Sequence, residues 1–199
     1  GIGYISGVKC MIMIDDSGIK AGAASEATID KALGCLDIAL KQKLPCVHLV
    51  ESAGVDLPNY SVKLWSKFGS VFYKKAKLSA AGIPVIAILH GFSTAGGAYQ
   101  IGMSDYVVGV KGNGMAALAG SALLKAATGE NATNSDIGGV EMHSVVTGSV
   151  EYLVNDDAES IVTVRQLIDQ LNWNENDAQK TILNFEEPEY PIEDLAGIV

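Results

Sequence analysis

Apolar and polar positions along the chain follow two periods, and the switch between them sets out the elements. A continuous apolar run at 8–14 (VKCMIMI) ends in Asp15-Asp16-Ser17-Gly18, a turn signal, and predicts a buried strand. Over 28–43, Ile29, Ala32, Leu33, Leu36, Ala39 and Leu40 recur at helical spacing, and Pro45 follows; this predicts an amphipathic helix. A second strand is expected at 46–50, left through Glu51-Ser52-Ala53-Gly54. A helix at 64–81 closes on Gly82, and a third strand runs over 83–89. Further on, a strand at 106–110, a helix near 121–128 and a helix at 157–171 are expected. The last carries Ile161, Val164, Ile168 and Leu171 on one face. Strands alternating with helices imply an α/β core with a parallel sheet. From Asn172 the chain turns polar and acidic, with Pro188 and Pro191. Residues 1–171 are therefore read as one domain and 172–199 as a linker. The first residue is not Met and the chain opens directly on a strand-like segment, so a longer polypeptide is expected.

The sharpest passage is His90-Gly91-Phe92-Ser93-Thr94-Ala95-Gly96-Gly97-Ala98-Tyr99. Gly96 and Gly97 follow a buried strand and open a helix. Two glycines let a ligand approach the backbone and leave amide N–H groups uncovered. Amides at a helix start lack intrahelical partners and suit a developing oxyanion, such as a thioester oxygen becoming an enolate. The competing account is a packing turn where only glycine fits. The spacing matches neither a dinucleotide fingerprint nor a P-loop. The exit at Ser52-Ala53-Gly54 offers a further amide at the same carboxyl edge, where ligands of parallel sheets bind.

Other chemistry is sparse. Ser93 and Thr94 lie near the turn, but His48, His90 and His143 are scattered. His48 reads as a satisfied core residue, and His90 and His143 as structural. Glu51 and Asp56 are the carboxylates nearest in sequence that a hydratase could use. Lys125 is a candidate neighbour of a phosphate or adenine group; the run Lys74, Lys75, Lys77 reads as a solvated face. No metal-ligand spacing appears.

Composition narrows the classes. The chain has 199 residues, 48% apolar and 19% charged, which is globular. A net charge of −9 argues against nucleic acid and membrane surfaces as partners. No apolar run approaches the roughly 18 residues of a membrane span. Three widely spaced cysteines suit a reducing compartment: the cytoplasm, or the mitochondrial matrix in a eukaryote.

Five blocks in order resemble biotin-dependent acyl-CoA carboxylase carboxyltransferase (β) subunits: GIGYISGVKCMIMIDD, FGSVFYKKAKLSAAGIP, GFSTAGGAYQIGMSD, SALLKAATGE and DIGGVEMHSVVTG. The methylcrotonyl-CoA and geranyl-CoA carboxylase branch is the nearest. The resemblance implies a crotonase-like fold, a spiral of ββα turns, and the N-terminal, acyl-CoA-gripping half of the subunit. It implies carboxyl transfer from carboxybiotin, borne on a biotin carboxylase or biotin carrier partner, to methylcrotonyl-, geranyl- or longer-chain acyl-CoA. It also implies a biotin-binding second half and a homo-oligomer with a hexameric core. On it, the amides of Gly96 and Gly97 form the oxyanion hole. Ala53, Gly54, Ala95, Ala98, Tyr99, Ala117 and Lys125 then contact substrate. A biotin-dependent decarboxylase subunit and a non-catalytic CoA-binding homologue remain as alternatives. Departures from the family pattern are Ala53 for a glycine, Asn59 and Ser70 for arginines, and Ala117 for a large aromatic. The last implies a deeper acyl pocket and a longer substrate.

Overall fold

A computed structural model describes residues 1–175 and Pro191. Six strands form one sheet in the order β1-β2-β3-β4-β6-β8: β1 (Ile2–Ile5), β2 (Val8–Ile14), β3 (Cys46–Val50), β4 (Val85–Leu89), β6 (Tyr106–Val110) and β8 (Tyr152–Val154). Only the β1–β2 hairpin is antiparallel; the other four pairings are parallel, with Cys46 opposite Val85 and Leu89 opposite Gly109. All five residues of β4 are buried, as a central strand covered on both faces requires.

Two long helices follow the strands. α1 (Glu26–Gln42) starts where Ser25 Oγ accepts the Thr28 N–H and stops at Lys43, whose φ of 52° is left-handed. α2 (Val62–Ala80) is capped by Ser61 in the same way. Their apolar stripes meet over the sheet, burying Ile29, Leu36, Phe68, Val71 and Leu78. Leu36 is fully buried there, and truncating such a residue to alanine costs about 2–5 kcal/mol. Four acid–base contacts join the helices: Lys63 and Lys67 reach Glu26 at 3.0 and 2.8 Å, Lys67 reaches Asp30 at 2.9 Å, and Lys74 meets Asp37. On the opposite face α7 (Asp157–Gln170) buries Val164, Leu167 and Ile168.

The strand exits build a second layer. β5 (Phe92–Thr94) and β7 (Met115–Ala117) pair in parallel as a separate small sheet. Ala24 bridges Val55 in parallel, and Thr94 N–H donates to Ser52 O at 2.9 Å. Successive exits of β2, β3, β4 and β6 thus stack beside one another. Each turn of the chain runs strand, short outer segment, helix, which is the ββα spiral that the resemblance implies. α3 (Gly96–Gly102), α4 (Ser121–Thr128), α5 (Asn134–Gly138) and α6 (Val140–Met142) complete the exits. The outer segments had no period of their own in the sequence. The expected linker at 172–199 lies mostly outside the described residues; within them, Trp173 packs on the core and its indole donates to Lys43 O at 3.1 Å.

Candidate active site

The glycine turn sits where β5 runs into α3, at the carboxyl edge of the parallel sheet. Ala95 takes φ 50°, ψ −120°, a conformation that costs a non-glycine residue about 1–3 kcal/mol. Two carbonyls hold it there: its N–H donates to Ala117 O at 3.0 Å and is shared with Leu118 O at 3.2 Å. That backbone reversal starts α3 with Gly96 and Gly97 as its first two residues. Neither N–H donates to any described residue, whereas the next one, of Ala98, closes on Ala95 O at 3.1 Å. The two open donors are therefore adjacent and held on a strained, fixed backbone.

Packing also demands both glycines. A Cβ on Gly97 would collide with Ser52 O, and one on Gly96 with the Phe68 ring. The packing account and the oxyanion account are thus compatible: the residues must be glycine, Gly97 is buried, and both amides stay without a described partner. Gly54, at φ 86°, completes the arrangement. A Cβ there would lie 3.1 Å from Gly96 N, so glycine at 54 leaves that amide uncrowded.

Most sequence-predicted residues come together. Ala53, Gly54, Ala95, Gly96, Gly97, Ala98 and Tyr99 gather at the turn, and Ala117 joins through its carbonyl. Two expectations change in detail. The Ala53 and Gly54 amides are already engaged, by Ala21 O at 3.0 Å and Ser52 Oγ at 3.1 Å, so neither adds a free donor. Lys125 is exposed in the last turn of α4, and no described side-chain bond ties it to the turn. Around the turn Phe92, Tyr99 and Leu118 are exposed apolar side chains.

Neighbouring candidates resolve by their partners. Asp56 is buried and takes hydrogen bonds from Asn59 at 2.8 Å and Lys20 at 3.0 Å, which hold its carboxyl below the usual range. It is a structural acid, and Asn59 serves it at the position where an arginine was expected. Ser93 is fully buried, and no histidine bonds its hydroxyl. His143 accounts for both ring nitrogens, with Ala116 O at 2.7 Å and Thr147 Oγ1 at 3.0 Å, and so braces β7 as a structural residue.

The lysine run departs from its expected solvated face. Lys75 is fully buried and donates to Gln100 O at 3.1 Å. Burial pulls its pKa down from the ordinary 10.5 to about 8. His48 is also less satisfied than expected. Its Nε2 lies 3.2 Å from Asp15 Oδ2, but its buried Nδ1 has no partner. Burial lowers its pKa, so the ring is neutral at pH 7. His48 lines a cavity of about 440 Å³ between α1, α2 and the sheet, which Ser52, Phe68 and Gln100 also line. Ala117 does not line it. Its signal in the sequence was His48 interrupting an apolar strand. Among the described residues no group of three or more His, Cys, Asp or Glu could hold a metal, and no helix is long and apolar enough to cross a membrane.

Known proteins share this frame. The chain is 41% identical to the mitochondrial methylcrotonoyl-CoA carboxylase beta chain of Dictyostelium discoideum, covering 100% of this chain and 34% of that protein. It is 41% identical to a probable biotin-dependent acyl-coenzyme A carboxylase beta2 subunit of Mycobacterium tuberculosis, covering 100% and 37%. The crystal structure of the geranyl-CoA carboxylase beta subunit of P. aeruginosa superposes with a TM-score of 0.80 at 42% identity, over 100% of this chain and 37% of that one. The transcarboxylase 12S structure with hydrolysed methylmalonyl-coenzyme A bound gives 0.76 at 26% identity, over 84% and 32%. The fold is thus crotonase-like, and the chain spans about a third of the length of these relatives. The carboxyl transferase domain matches residues 1–199 from end to end, and the chain belongs to that family.

Proposed function

We propose that this chain is the acyl-CoA half of a carboxyltransferase that moves CO2 from a partner-borne carboxybiotin to the carbon next to a thioester. One observation carries the reading: two adjacent amides, Gly96 and Gly97, held open on a fixed turn. A thioester oxygen placed against both N–H groups is polarised, and the neighbouring C–H is acidified. When that proton leaves, negative charge moves onto the oxygen, where the amides stabilise it with no reorganisation. The enolate carbon then bonds to CO2. A partner-borne biotin would supply both the CO2 and the proton acceptor. That division of labour fits a turn whose neighbours Asp56 and His143 are already engaged elsewhere. The exposed apolar side chains Phe92, Tyr99 and Leu118 leave room for such a group beside the amides. The acyl-CoA is of the methylcrotonyl, geranyl or longer kind, and Ala117 leaves space beside the turn. We further assign the assembly as a homo-oligomer with a biotin-carrying subunit. The three free thiols fit a reducing compartment.

The test uses the native polypeptide with a biotin-carrying partner, ATP, labelled bicarbonate and acyl-CoA. The expected result is label in the acyl-CoA, lost in a Gly97→Ala variant. Enoyl-CoA hydration without biotin, and no label, would overturn the reading.

A further inference from the structure

Three side chains on one face of α2 meet α3 in order along both helices. Phe68, Phe72 and Lys75 recur at i, i+4 and i+7, the spacing of a single helix face. The Phe68 ring lies against Gly96, where it would collide with any Cβ. Phe72 packs on Phe68, with ring centroids 5.0 Å apart, and on Tyr99 at 5.5 Å. Lys75 Nζ donates to Gln100 O at 3.1 Å. Ser104 Oγ donates to the same oxygen at 2.8 Å, so two side chains hold this carbonyl near the end of α3. Four residues separate Gln100 from Gly96, roughly 6 Å of helix at about 1.5 Å per residue. The grip on α3 and the open amides are thus one turn apart.

Lys75 is the member of this row that packing alone does not explain. The buried stripe of α2 is Leu64, Phe68, Val71, Lys75 and Leu78, and a methionine would fill the fourth position with no charge to desolvate. Lys75 is instead fully buried, and burial draws its pKa down to about 8. Burying an ammonium is costly unless it is hydrogen-bonded, and here the bond it makes goes to α3. The groups that act on it through space are Cys46 and His48 of β3 and Asp15 at the exit of β2. Burial keeps the Cys46 thiol and the His48 ring neutral at pH 7, so Asp15 supplies the opposite charge. An ammonium donor makes a stronger bond to a carbonyl than a neutral amine does.

We propose that Lys75 is a positioning residue for carboxyl transfer: through Gln100 O, and with Phe68 and Phe72, it sets α3 against α2 so that the Gly96 and Gly97 amides meet the thioester oxygen. The inference rests on the carboxyl-transfer reading above and extends it to side chains that act through α3. α3 has only seven residues and is entered through the strained Ala95, so its neighbours set its place. A single turn of helix moves as a unit, and a shift at Gln100 passes to the amides. A misplacement of about 1 Å in such a site costs on the order of 100-fold in rate.

The test is steady-state carboxylation by the native polypeptide with excess biotin-carrying partner, ATP, labelled bicarbonate and methylcrotonyl-CoA. Lys75→Met is expected to lower kcat about tenfold, with KM for the acyl-CoA within about twofold, while its Tm does not fall. Wild-type kcat should decline above about pH 8 as the ammonium is lost, and the variant should lack that decline. Lys77→Met, on the exposed face of α2, should match the wild type in both respects. Phe72→Leu loosens the same row and should also lower kcat. Wild-type kcat and an unchanged pH profile in folded Lys75→Met overturn the assignment and leave the carboxyl-transfer reading intact. So does a loss confined to KM, or one that tracks a fallen Tm. Should Lys75→Met not fold, wild-type kcat in Phe72→Leu together with a flat wild-type profile above pH 8 overturns it. A wild-type protein that fixes no label overturns both.

Discussion

Two strand exits with similar sequences have opposite fates in this molecule. After β3 the chain runs Ser52-Ala53-Gly54; after β5 it runs Ala95-Gly96-Gly97. Both are small, both lie at the carboxyl edge of one sheet, and both could present amides. The first spends its N–H groups internally, on Ala21 O and Ser52 Oγ. The second keeps two of them open at the cost of a strained Ala95. The exits are also coupled, because Ser52 O accepts from Thr94 and abuts Gly97. The satisfied exit is the floor on which the open one stands. Small residues at a sheet edge therefore mark where a backbone site can form; partners elsewhere decide which amides remain free.

The contrast breaks most visibly at Gly97. Gly97→Ala drives a Cβ into the Ser52 backbone, which cannot step aside. Carboxylation is expected to fall by about 100-fold or more, the scale of losing an oxyanion donor, measured as label fixed into acyl-CoA. Wild-type turnover in that variant would show the turn to be mere packing. Gly96→Ala meets only the Phe68 ring, so adding Phe68→Leu should recover much of its loss.

Gly54→Ala sharpens the contrast from the other exit. Its positive φ and its approach to Gly96 N predict a stability loss of about 1–2 kcal/mol, with weakened acyl-CoA binding. Ala53→Gly, at an exposed residue, should change stability by under about 1 kcal/mol and leave binding alone. Chemical denaturation and calorimetry separate the two.

The pH dependence of stability tests the floor beneath both exits. Lys75 has a folded pKa of about 8 against an ordinary 10.5, so above pH 8 the unfolded chain holds more protons and stability rises. Cys10 and Cys46 are pushed from 9.0 to about 11 by burial. Above pH 9 their unfolded thiols ionise first, which lowers stability. The expected curve climbs from about pH 8 to 9 and then flattens or turns over. Lys75→Met should remove the climb, and an unchanged climb in urea melts would place that ammonium in water.

The smallest effect concerns the α1–α2 ion pairs. Lys67→Ala removes contacts to Glu26 and Asp30. These groups are solvent-accessible, so a small fall in Tm is expected at low salt and none at high salt.

Much of the frame was legible beforehand. The strands at 8–14, 46–50 and 106–110 and the helix at 121–128 stand where the pattern puts them, and the longer helices differ only at their ends. Burial on both faces writes itself as an unbroken apolar run, and a half-buried helix as a stripe. β5, β7 and β8 were not legible, because three residues carry no period. Nor was Lys75: between Lys74 and Lys77 it looks solvated, yet the helix turns it inward onto Gln100 O.

The sequence by itself determined the elements, the parallel sheet and the glycine pair, since these depend on neighbours along the chain. Its five ordered blocks pointed to the family. Only the tertiary structure decided that the Ala53 and Gly54 amides are spent, that the Gly96 and Gly97 amides lack a described partner, and that Lys75 is buried against Gln100 O. The physical reason is that a hydrogen bond is fixed by where its partner stands. Ala21, Ala117 and Lys75 reach these exits through space, from positions that no local spacing connects.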